Sequence, residues 1–307
     1  MKIQTFQLSK LLLLDHKEYL KIWIKNISKA LPKILTDLEG TIIKQELGSS
    51  FGIVIFVQSN KYGNCYLKFV PHVIDRYESE KNSYIILSDV ILCNLIKYYD
   101  EYNCLVLADC GKQVSGWESE RLNIEYFFKN VFDNRILHNE EVGFKGYEQL
   151  LEEKLINPKT ELPIISENVK KAVEIYNVFF NSKPLYNIHG DMHRRNLLEN
   201  KDTIKAIDPI GYIAPIEIEF ARYIGTELEM LVDVYCKEEL YSLWRDLIDY
   251  FKRFSNDIEE AVYVDIVFRM HNATFECIDN VLVDRWLKVL SVIEKDVKKI
   301  KNRGEDI

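Results

Sequence analysis

Two stretches of this chain decide its fold: His189-Gly190-Asp191-Met192-His193-Arg194-Arg195-Asn196 and, after a short interval, Ile207-Asp208-Pro209. A phosphoryl group passes between oxygen atoms with little covalent help from a protein. The protein supplies one carboxylate that orients the attacking hydroxyl, and oxygen atoms that hold Mg²⁺. Asp191, Asn196 and Asp208 carry oxygen atoms of these kinds, so the two stretches indicate a phosphoryl-transfer loop with bound Mg²⁺.

The spacing within these stretches matches that of protein kinases. Their pattern H-R-D-L-x-x-x-N places the catalytic Asp and the metal-binding Asn five residues apart, and Asp191 and Asn196 have the same separation. Residues 197–207 consist of two apolar segments around a polar turn, which predicts a hairpin. Such a hairpin would return Asp208 to the side of Asn196.

The same residues allow two other interpretations. His189, Asp191 and His193 alternate, as they would at a strand edge, and two histidines with an aspartate could also bind zinc. Zinc binding would leave Asn196 and Asp208 without a role, and the sequence has no further zinc-ligand motif. We expect His189 to brace the loop rather than to transfer a proton.

Upstream, a turn of small residues lies between two predicted strands, residues 41–47 and 53–58. Backbone N–H groups in such a turn can contact phosphate oxygens, so Gly48, Ser49 and Ser50 are candidate nucleotide-binding residues. A plain hairpin turn is the alternative, because the segment lacks both the Walker pattern and a full G-x-G-x-x-G.

Lys68 interrupts the apolar strand predicted for residues 65–70. A charge in such a strand costs desolvation unless an anion meets it. Glu80 opens the next predicted helix, and kinases pair a strand lysine with a helix glutamate beside the nucleotide phosphates. Lys68 with Glu80 fits that arrangement. A solvated lysine on an edge strand is the alternative, and Glu78 is a competing partner.

At these residues the chain resembles the aminoglycoside phosphotransferase family, whose signature is H-G-D-x-H-x-x-N followed by a metal-binding Asp. The segment 207–211 is most similar to the streptomycin 6-phosphotransferase and hydroxyurea phosphotransferase branch. The resemblance implies an α+β, bilobal, protein-kinase-like fold, with a small antiparallel-sheet N-lobe and a mostly helical C-lobe. It implies that Asp191 is the catalytic carboxylate and that Asn196 and Asp208 are metal ligands. Arg194 and Arg195 depart from the family, which usually has small residues or proline there.

The resemblance has further implications outside the loop. Residues 104–111 are similar to the family's hinge, where adenine would bind backbone atoms near Ala108 to Cys110, although an ordinary buried strand explains the segment equally well. Glu219 is at the position of a residue that braces the catalytic loop. It would also be favoured in the first turn of a helix by the helix dipole.

Length and pattern predict two lobes. A chain of 307 residues exceeds the size at which a single core stops growing, and we place the boundary between 1–110 and 111–307. Apolar residues at helical spacing from Leu20 to Leu31, before Pro32, predict an N-terminal packing helix; a partner-binding helix is the alternative. Beyond residue 111 the pattern is mostly that of long amphipathic helices.

Composition excludes several classes of protein. The formal net charge is −8, with no long basic run, which argues against nucleic acid as a partner. The leucine run 11–14 is too short for a membrane span, so we expect no membrane partner and a cytoplasmic location. Six cysteines without a C-x-x-C pair are expected to be reduced core residues.

The acceptor is the least constrained part of the prediction. Glu217, Glu227, Glu229 and Asp233 follow the metal-binding aspartate and could form an acidic rim for a cationic substrate, or a solvated helix face. The sequence favours transfer from ATP or GTP to a hydroxyl of a small cationic molecule, an aminoglycoside first. The alternatives are a kinase of a metabolite such as choline, homoserine or a thio-sugar, and a nucleotide-binding regulator without transfer activity.

Overall fold

The chain divides into two units, each with its own core. The first unit comprises Met1–Lys112 with Lys205–Ile210, and the second comprises Gln113–Ile204 with Gly211–Ile307. This computed structural model describes residues 17–46, 52–73, 76–87, 91–138, 143–156, 163–201, 203–276 and 280–301.

The first unit is built on a five-stranded antiparallel sheet. Along its second strand, β2, buried residues alternate with more exposed ones, so one face of that strand is packed. The strand order is β1-β2-β3-β5-β4. The strands are β1 (Gly40–Glu46), β2 (Ile53–Ser59), β3 (Gly63–Phe69), β4 (Leu95–Tyr99) and β5 (Cys104–Ala108).

Two helices accompany this sheet, α1 (Lys17–Leu38) and α2 (Tyr77–Leu87). The predicted N-terminal helix forms but does not stop before Pro32, which lies inside α1. A proline within a helix costs about 3 kcal/mol. Here the helix continues because Ile34 and Leu38 beyond it are fully buried against the sheet.

The second unit is mostly helical. Its helices are α3 (Trp117–Asp133), α4 (Tyr147–Ile156), α5 (Pro163–Phe179), α6 (Ile216–Leu231), α7 (Lys237–Phe251), α8 (Ile258–Glu276) and α9 (Asn280–Lys301). Helix α8 packs against α5, α6 and α9. Aromatic side chains fill the core beside α6, among them Trp117, Phe128, Phe220 and Phe251.

Short strands surround the loop that contains Asp191. They are β6 (Lys112–Gln113), β7 (Ile136–Leu137), β8 (Lys145–Gly146), β9 (Tyr186–Ile188), β10 (Leu197–Asn200), β11 (Thr203–Ala206) and β12 (Tyr212–Ala214). Strand β9 precedes the loop in sequence and β12 follows it, and the two strands pair in a small sheet of order β7-β9-β12-β8. Strands β10 and β11 correspond to the hairpin predicted for residues 197–207.

The prediction that the cysteines are reduced is wrong for one pair. Cys93 and Cys110 form a disulfide, with Cα atoms 6.0 Å apart. Asn94, next to Cys93, accepts a hydrogen bond from the N–H of Ala108 at 2.9 Å. This bond holds the two segments together, so that the two cysteines lie side by side. Cys65 and Cys104 are buried free thiols, as predicted, whereas Cys236 is free but exposed, so its predicted place in the core is wrong. Cys277 lies outside the described residues.

Among the helices of the described residues, none combines the length and the apolar character needed to cross a membrane.

Candidate active site

Lys68 lies between two carboxylates in the first unit. Its Nζ is 2.6 Å from Glu80 Oε1 on α2 and 2.8 Å from Asp208 Oδ1. Lys68 is on the interior strand β3 and is 3% exposed, so the alternative of a solvated edge lysine is wrong. Glu78 points elsewhere and pairs with Lys81.

The two carboxylates keep Lys68 charged. Burial alone would lower the pKa of the Lys68 ammonium, but Asp208 and Glu80 outweigh burial and raise that pKa. Burial raises the pKa of Glu80, and Lys68 opposes this rise. A buried cation held between two anions can present its charge to a third anion such as a phosphate.

Asp208 is fixed by backbone contacts as well as by Lys68. It has a positive φ of 60°, a conformation that non-glycine residues seldom adopt. Asp208 N donates to the Tyr84 hydroxyl at 3.2 Å, and Arg76 Nη2 donates to Asp208 O at 3.2 Å. The sequence analysis missed Tyr84 and Arg76 as positioning residues. The spacing of Tyr84, one helical turn after Glu80, was the available signal.

In the second unit, the loop after β9 presents Asp191. Gly190 has φ of 78°, and its backbone N–H donates to Glu219 Oε2 at 2.9 Å. His189 is fully buried, and its Nδ1 accepts the Asp191 N–H at 3.1 Å. These contacts set the direction of the chain at Asp191, so His189 and Glu219 hold the loop from within.

Asn196 ends a 3₁₀ turn three residues long, Arg194–Asn196. Its Nδ2 donates to Asp191 O at 3.0 Å, which fixes the amide plane and therefore the direction of the amide oxygen. An oriented amide oxygen and a carboxylate are oxygen ligands of the kind that Mg²⁺ prefers. Asn196 in the second unit and Asp208 in the first each carry an oxygen ligand of this kind, and Mg²⁺ binding by the two together stays a prediction.

Two arginines outside the motif contact the Asp191 carboxylate. Arg269 Nη2 donates to Asp191 Oδ1 at 2.5 Å, and Arg222 Nη1 is 3.6 Å from the same oxygen. The sequence analysis did not identify either one. Nothing in a single sequence links a residue of α6 or α8 to this loop, so only the folded chain reveals these arginines.

Glu219 lies in the same neighbourhood and is almost fully buried. Burial raises the pKa of Glu219 to about 8, although the Gly190 N–H and Arg222 oppose the rise. The Glu219 carboxyl group, which was predicted to brace the loop, therefore takes up a proton near neutral pH.

The predicted nucleotide-binding residues are only partly described. Gly48, Ser49 and Ser50 lie outside the described residues. At the predicted hinge, Ala108 N donates to Asn94 O at 2.9 Å, and the following N–H donates to Asn64 O at 3.2 Å, so both groups are used within the first unit. Cys110 is in the disulfide. Adenine binding at Ala108 and Cys110 stays a prediction.

Three of the four acidic residues predicted to meet a substrate do not lie on a solvated face, whereas the fourth, Asp233, is exposed. Glu217, Glu227 and Glu229 are buried, since their helix α6 is the centre of the second unit. Each of the four has a basic partner: Glu217 with Lys183 at 2.6 Å, Glu227 with Arg194 at 3.0 Å, Glu229 with Arg285 at 2.7 Å, and Asp233 with Lys288 at 2.7 Å.

The zinc alternative has no geometric basis in the described part of the chain, where no group of three or more His, Cys, Asp or Glu side chains is placed to hold a metal ion. His189 directs Nδ1 at the backbone, and His193 Nε2 is 3.7 Å from Asp191 Oδ2.

Comparison with known proteins identifies the fold. No family model matches the chain, and no curated protein matches its sequence. Among solved structures, choline kinase LicA from Streptococcus pneumoniae superposes with a TM-score of 0.63 at 9% identity, covering 88% of this chain and 99% of that one. A choline kinase from Cryptosporidium parvum Iowa II gives a TM-score of 0.55 at 15% identity, covering 91% of this chain and 97% of the other.

A thermostable mutant of aminoglycoside phosphotransferase APH(4)-Ia, in ternary complex with ADP and hygromycin B, gives a TM-score of 0.58 at 8% identity. The match covers 86% of this chain and 97% of that one. These structural similarities do not show that the chain belongs to the streptomycin 6-phosphotransferase branch. At such low identities the likeness shows the fold, and the predicted fold class is confirmed: this chain is an α+β protein with the protein-kinase-like fold of these phosphotransferases.

Proposed function

We propose that this protein is an ATP- or GTP-dependent O-phosphotransferase that acts on a hydroxyl of a small molecule. The observation that carries the proposal is the cluster in which the buried pair Lys68 and Glu80 meets the partly exposed Asp208, with contacts of 2.6 Å and 2.8 Å. Burying two ionised groups, Lys68 and Glu80, costs several kcal/mol per ion before pairing. A fold has no structural need for such a cluster, whereas a nucleotide site does.

In the proposed reaction, Asp191 accepts a hydrogen bond from the acceptor hydroxyl and takes its proton as the new O–P bond forms. The bond between the γ-phosphorus and the β,γ-bridging oxygen breaks, and the nucleoside diphosphate leaves with that electron pair. Lys68, positioned by Glu80, steadies the phosphates. Asn196 and Asp208 would hold Mg²⁺, which neutralises charge on the phosphate oxygens when bound.

We propose an aminoglycoside as the first acceptor to test. Similarity to a structure that contains hygromycin B supports this choice, as does the net charge of −8, because an acidic surface attracts polycations.

A metabolite acceptor, such as choline, is favoured by a different observation. Glu217, Glu227 and Glu229 are buried and paired with basic side chains, so they offer little uncompensated charge to a polycation. Similarity to choline kinases supports the same alternative.

The test is transfer of phosphate from ATP or GTP in the presence of Mg²⁺, with aminoglycosides and metabolite alcohols as acceptors. We expect one acceptor class to be phosphorylated and Asp191→Asn to lower kcat by about 10³-fold or more, while nucleotide binding remains. Transfer at the wild-type rate by Asp191→Asn would exclude the proposed role of Asp191. Nucleotide binding without transfer to any acceptor would instead identify a regulator.

A further inference from the structure

Arg269 makes a direct contact with the proposed catalytic carboxylate from outside the sequence motif. It lies on α8, and its Nη2 is 2.5 Å from Asp191 Oδ1. The side chain of Arg269 is 23% exposed and that of Asp191 is 18% exposed, so the contact is mostly shielded from water. A hydrogen bond between ionised groups in such a place is among the strongest that proteins make.

Asp191 is the residue that holds Arg269 in place. Within the described part of the chain, Arg269 has no other ion pair or hydrogen bond, and its buried Nε has no hydrogen-bond partner. A guanidinium that served only to stabilise the packing of α8 would be expected to satisfy its buried N–H with a neighbouring carbonyl or carboxylate. Among the residues that the structure describes, the geometry therefore ties Arg269 to Asp191 alone.

Arg222 differs from Arg269 because it already has a partner. Its Nη2 is 3.1 Å from Asp265 Oδ1, and Asp265 also accepts the Tyr147 hydroxyl at 3.2 Å. All three of these residues are almost fully buried. Arg222 is 3.6 Å from Asp191 Oδ1, too far for a hydrogen bond, so it contributes charge to the neighbourhood but does not hold the carboxylate.

The neighbourhood of Asp191 is rich in carboxyl groups and needs positive charge. Asp265 lies one helical turn before Arg269 on α8, and Glu219 is held against the Gly190 N–H. Asp191 raises the pKa of both Glu219 and Asp265, in each case adding to the larger effect of burial. Without Arg269, the positive charge of Arg222 remains 3.6 Å from Oδ1, but no side-chain hydrogen bond from an arginine holds the Asp191 carboxylate, which is then free to change rotamer.

We propose that Arg269 is a positioning residue for phosphoryl transfer: it fixes Asp191 through Oδ1, so that Oδ2 is the oxygen that receives the acceptor hydroxyl. The inference rests on the proposed function. Oδ2 lies on the side of His193, whose Nε2 is 3.7 Å away. Because kinase catalysis depends on placement of reacting groups more than on covalent chemistry, loss of this contact lowers kcat and leaves nucleotide affinity intact.

The experiment compares Arg269→Gln, Arg269→Lys and Arg269→Ala with the wild type in the transfer assay. We expect Arg269→Gln to lower kcat by about 10²-fold, the cost of misplacing a catalytic group by about 1 Å, with nucleotide KM within about 3-fold of wild type. Arg269→Lys keeps the positive charge but lacks the planar guanidinium, so its kcat lies between that of Arg269→Gln and that of the wild type. Methylguanidinium added to Arg269→Ala restores part of the lost rate.

Arg245→Gln is the matched control. Arg245 is on α7 and forms surface ion pairs with Asp249 and Glu259, so its loss leaves kcat unchanged. Nucleotide binding and thermal unfolding are measured on every variant. A purely structural role for Arg269 predicts parallel losses of stability and nucleotide binding, with no rescue by methylguanidinium or by lysine, and that result overturns the inference.

Failure of the inference and failure of the proposed function give different results. Arg269→Gln with wild-type kcat, in a protein whose transfer is abolished by Asp191→Asn, overturns the role of Arg269 alone. A wild-type protein that transfers phosphate to water and to every acceptor at the background rate overturns the proposed function and the inference with it.

Discussion

At the scale of single residues, Lys68 and Glu80 are two buried charges that are paired with each other. Lys68 is 3% exposed and Glu80 is fully buried, positions where an isolated ion would be too costly to keep. The pairing makes each member dependent on the other. Stability and the proposed nucleotide binding therefore depend on the same side chains, and substitutions can separate the two contributions.

Lys68→Met should destabilise the first unit more than removal of an ordinary lysine does. The variant leaves Glu80 in a buried place without its cation, which costs about 3–5 kcal/mol for a broken buried pair. Replacing both residues, Lys68→Met with Glu80→Met, should recover part of that loss because the fully buried charge is gone, and Asp208, the other partner of Lys68, is 38% exposed to water. Chemical denaturation measures both changes in the free energy of unfolding.

Lys97→Met is the matched control for this comparison. Lys97 is on β4 of the same sheet and pairs at the surface with Asp37; an exposed pair contributes about 1 kcal/mol at most. A double variant as unstable as Lys68→Met would contradict the claim that the unpaired charge is the cause. Nucleotide binding should be lost in both Lys68 variants and retained in the control.

Tyr84→Phe should weaken the placement of Asp208. The substitution keeps the buried ring but removes the oxygen that accepts the Asp208 N–H at 3.2 Å. An unsatisfied buried N–H costs about 1–3 kcal/mol, so we expect a loss of stability of that order and a several-fold rise in the Mg²⁺ concentration for half-maximal transfer. Denaturation and Mg²⁺ titration measure the two effects.

The control is Tyr77→Phe on the same helix. Its hydroxyl donates to Asp100 at 2.9 Å and does not touch Asp208. An equal shift in Mg²⁺ dependence for both variants would show that the effect belongs to helix α2 in general and not to the hydrogen bond of Tyr84.

At the scale of elements, the local sequence pattern predicts those helices, strands and turns whose formation depends on neighbouring residues. The strands that flank Lys68, the helix that begins near Glu80 and the hairpin after Asn196 all follow from apolar period and turn residues. The pattern gave a wrong helix end at Pro32. The low helix propensity of proline predicted that the helix would stop there, but burial of Ile34 and Leu38 stabilises its continuation.

Some contacts between residues far apart in sequence could not be predicted from the sequence. Arg269 is far from Asp191 in sequence, and the Cys93–Cys110 disulfide joins segments whose alignment depends on the sheet order. A single sequence carries no record of which distant residues meet, because such contacts arise from packing rather than from local preference. The same holds for Glu227, whose pairing with Arg194 the charge pattern alone did not indicate.

Gly190→Ala should displace the loop that carries Asp191. Gly190 has φ of 78°, and a Cβ there would lie 2.7 Å from the Tyr212 ring. Strain of this kind costs about 1–3 kcal/mol, and relief of the clash must move Asp191 or β12. We expect kcat to fall by about 10²-fold or more, measured in the transfer assay alongside thermal unfolding.

Gly146→Ala on β8 is the control, since a Cβ there meets nothing closer than 3.9 Å. The two glycines belong to the same small sheet region, so a general effect of substituting glycine would appear in both. Normal transfer by Gly190→Ala would show that the loop tolerates the displacement and that Asp191 does not depend on this turn.

At the scale of the whole molecule, the helical second unit gathers carboxyl groups in its interior. Burial raises the pKa of Glu219 to about 8 and those of Glu227 and Glu260 to about 7. Each is protonated in the folded chain at pH 5, whereas in the unfolded chain it ionises near the ordinary glutamate pKa of 4.5. Between these values the folded state binds more protons than the unfolded state.

Stability should therefore fall as the pH rises from about 5 to 8, since it decreases with pH wherever the folded state holds the extra protons. Glu260→Gln isolates one contribution, because glutamine resembles the protonated carboxyl and does not ionise. The pKa difference for Glu260 corresponds to no more than about 3 kcal/mol. We expect the variant to match wild type near pH 5 and to be more stable by about 1–3 kcal/mol at pH 8, measured by denaturation across that range.

Glu238→Gln, at an exposed position on α7, is the control and should give a curve parallel to that of wild type. Carboxylates whose pKa is lowered, such as Asp100 and Asp233, are ionised in both states throughout this window and cannot produce the slope. If Glu260→Gln and wild type lose stability equally between pH 5 and 8, Glu260 ionises in the folded chain as it does in water, and the interior of the second unit is more open to solvent than its packing implies.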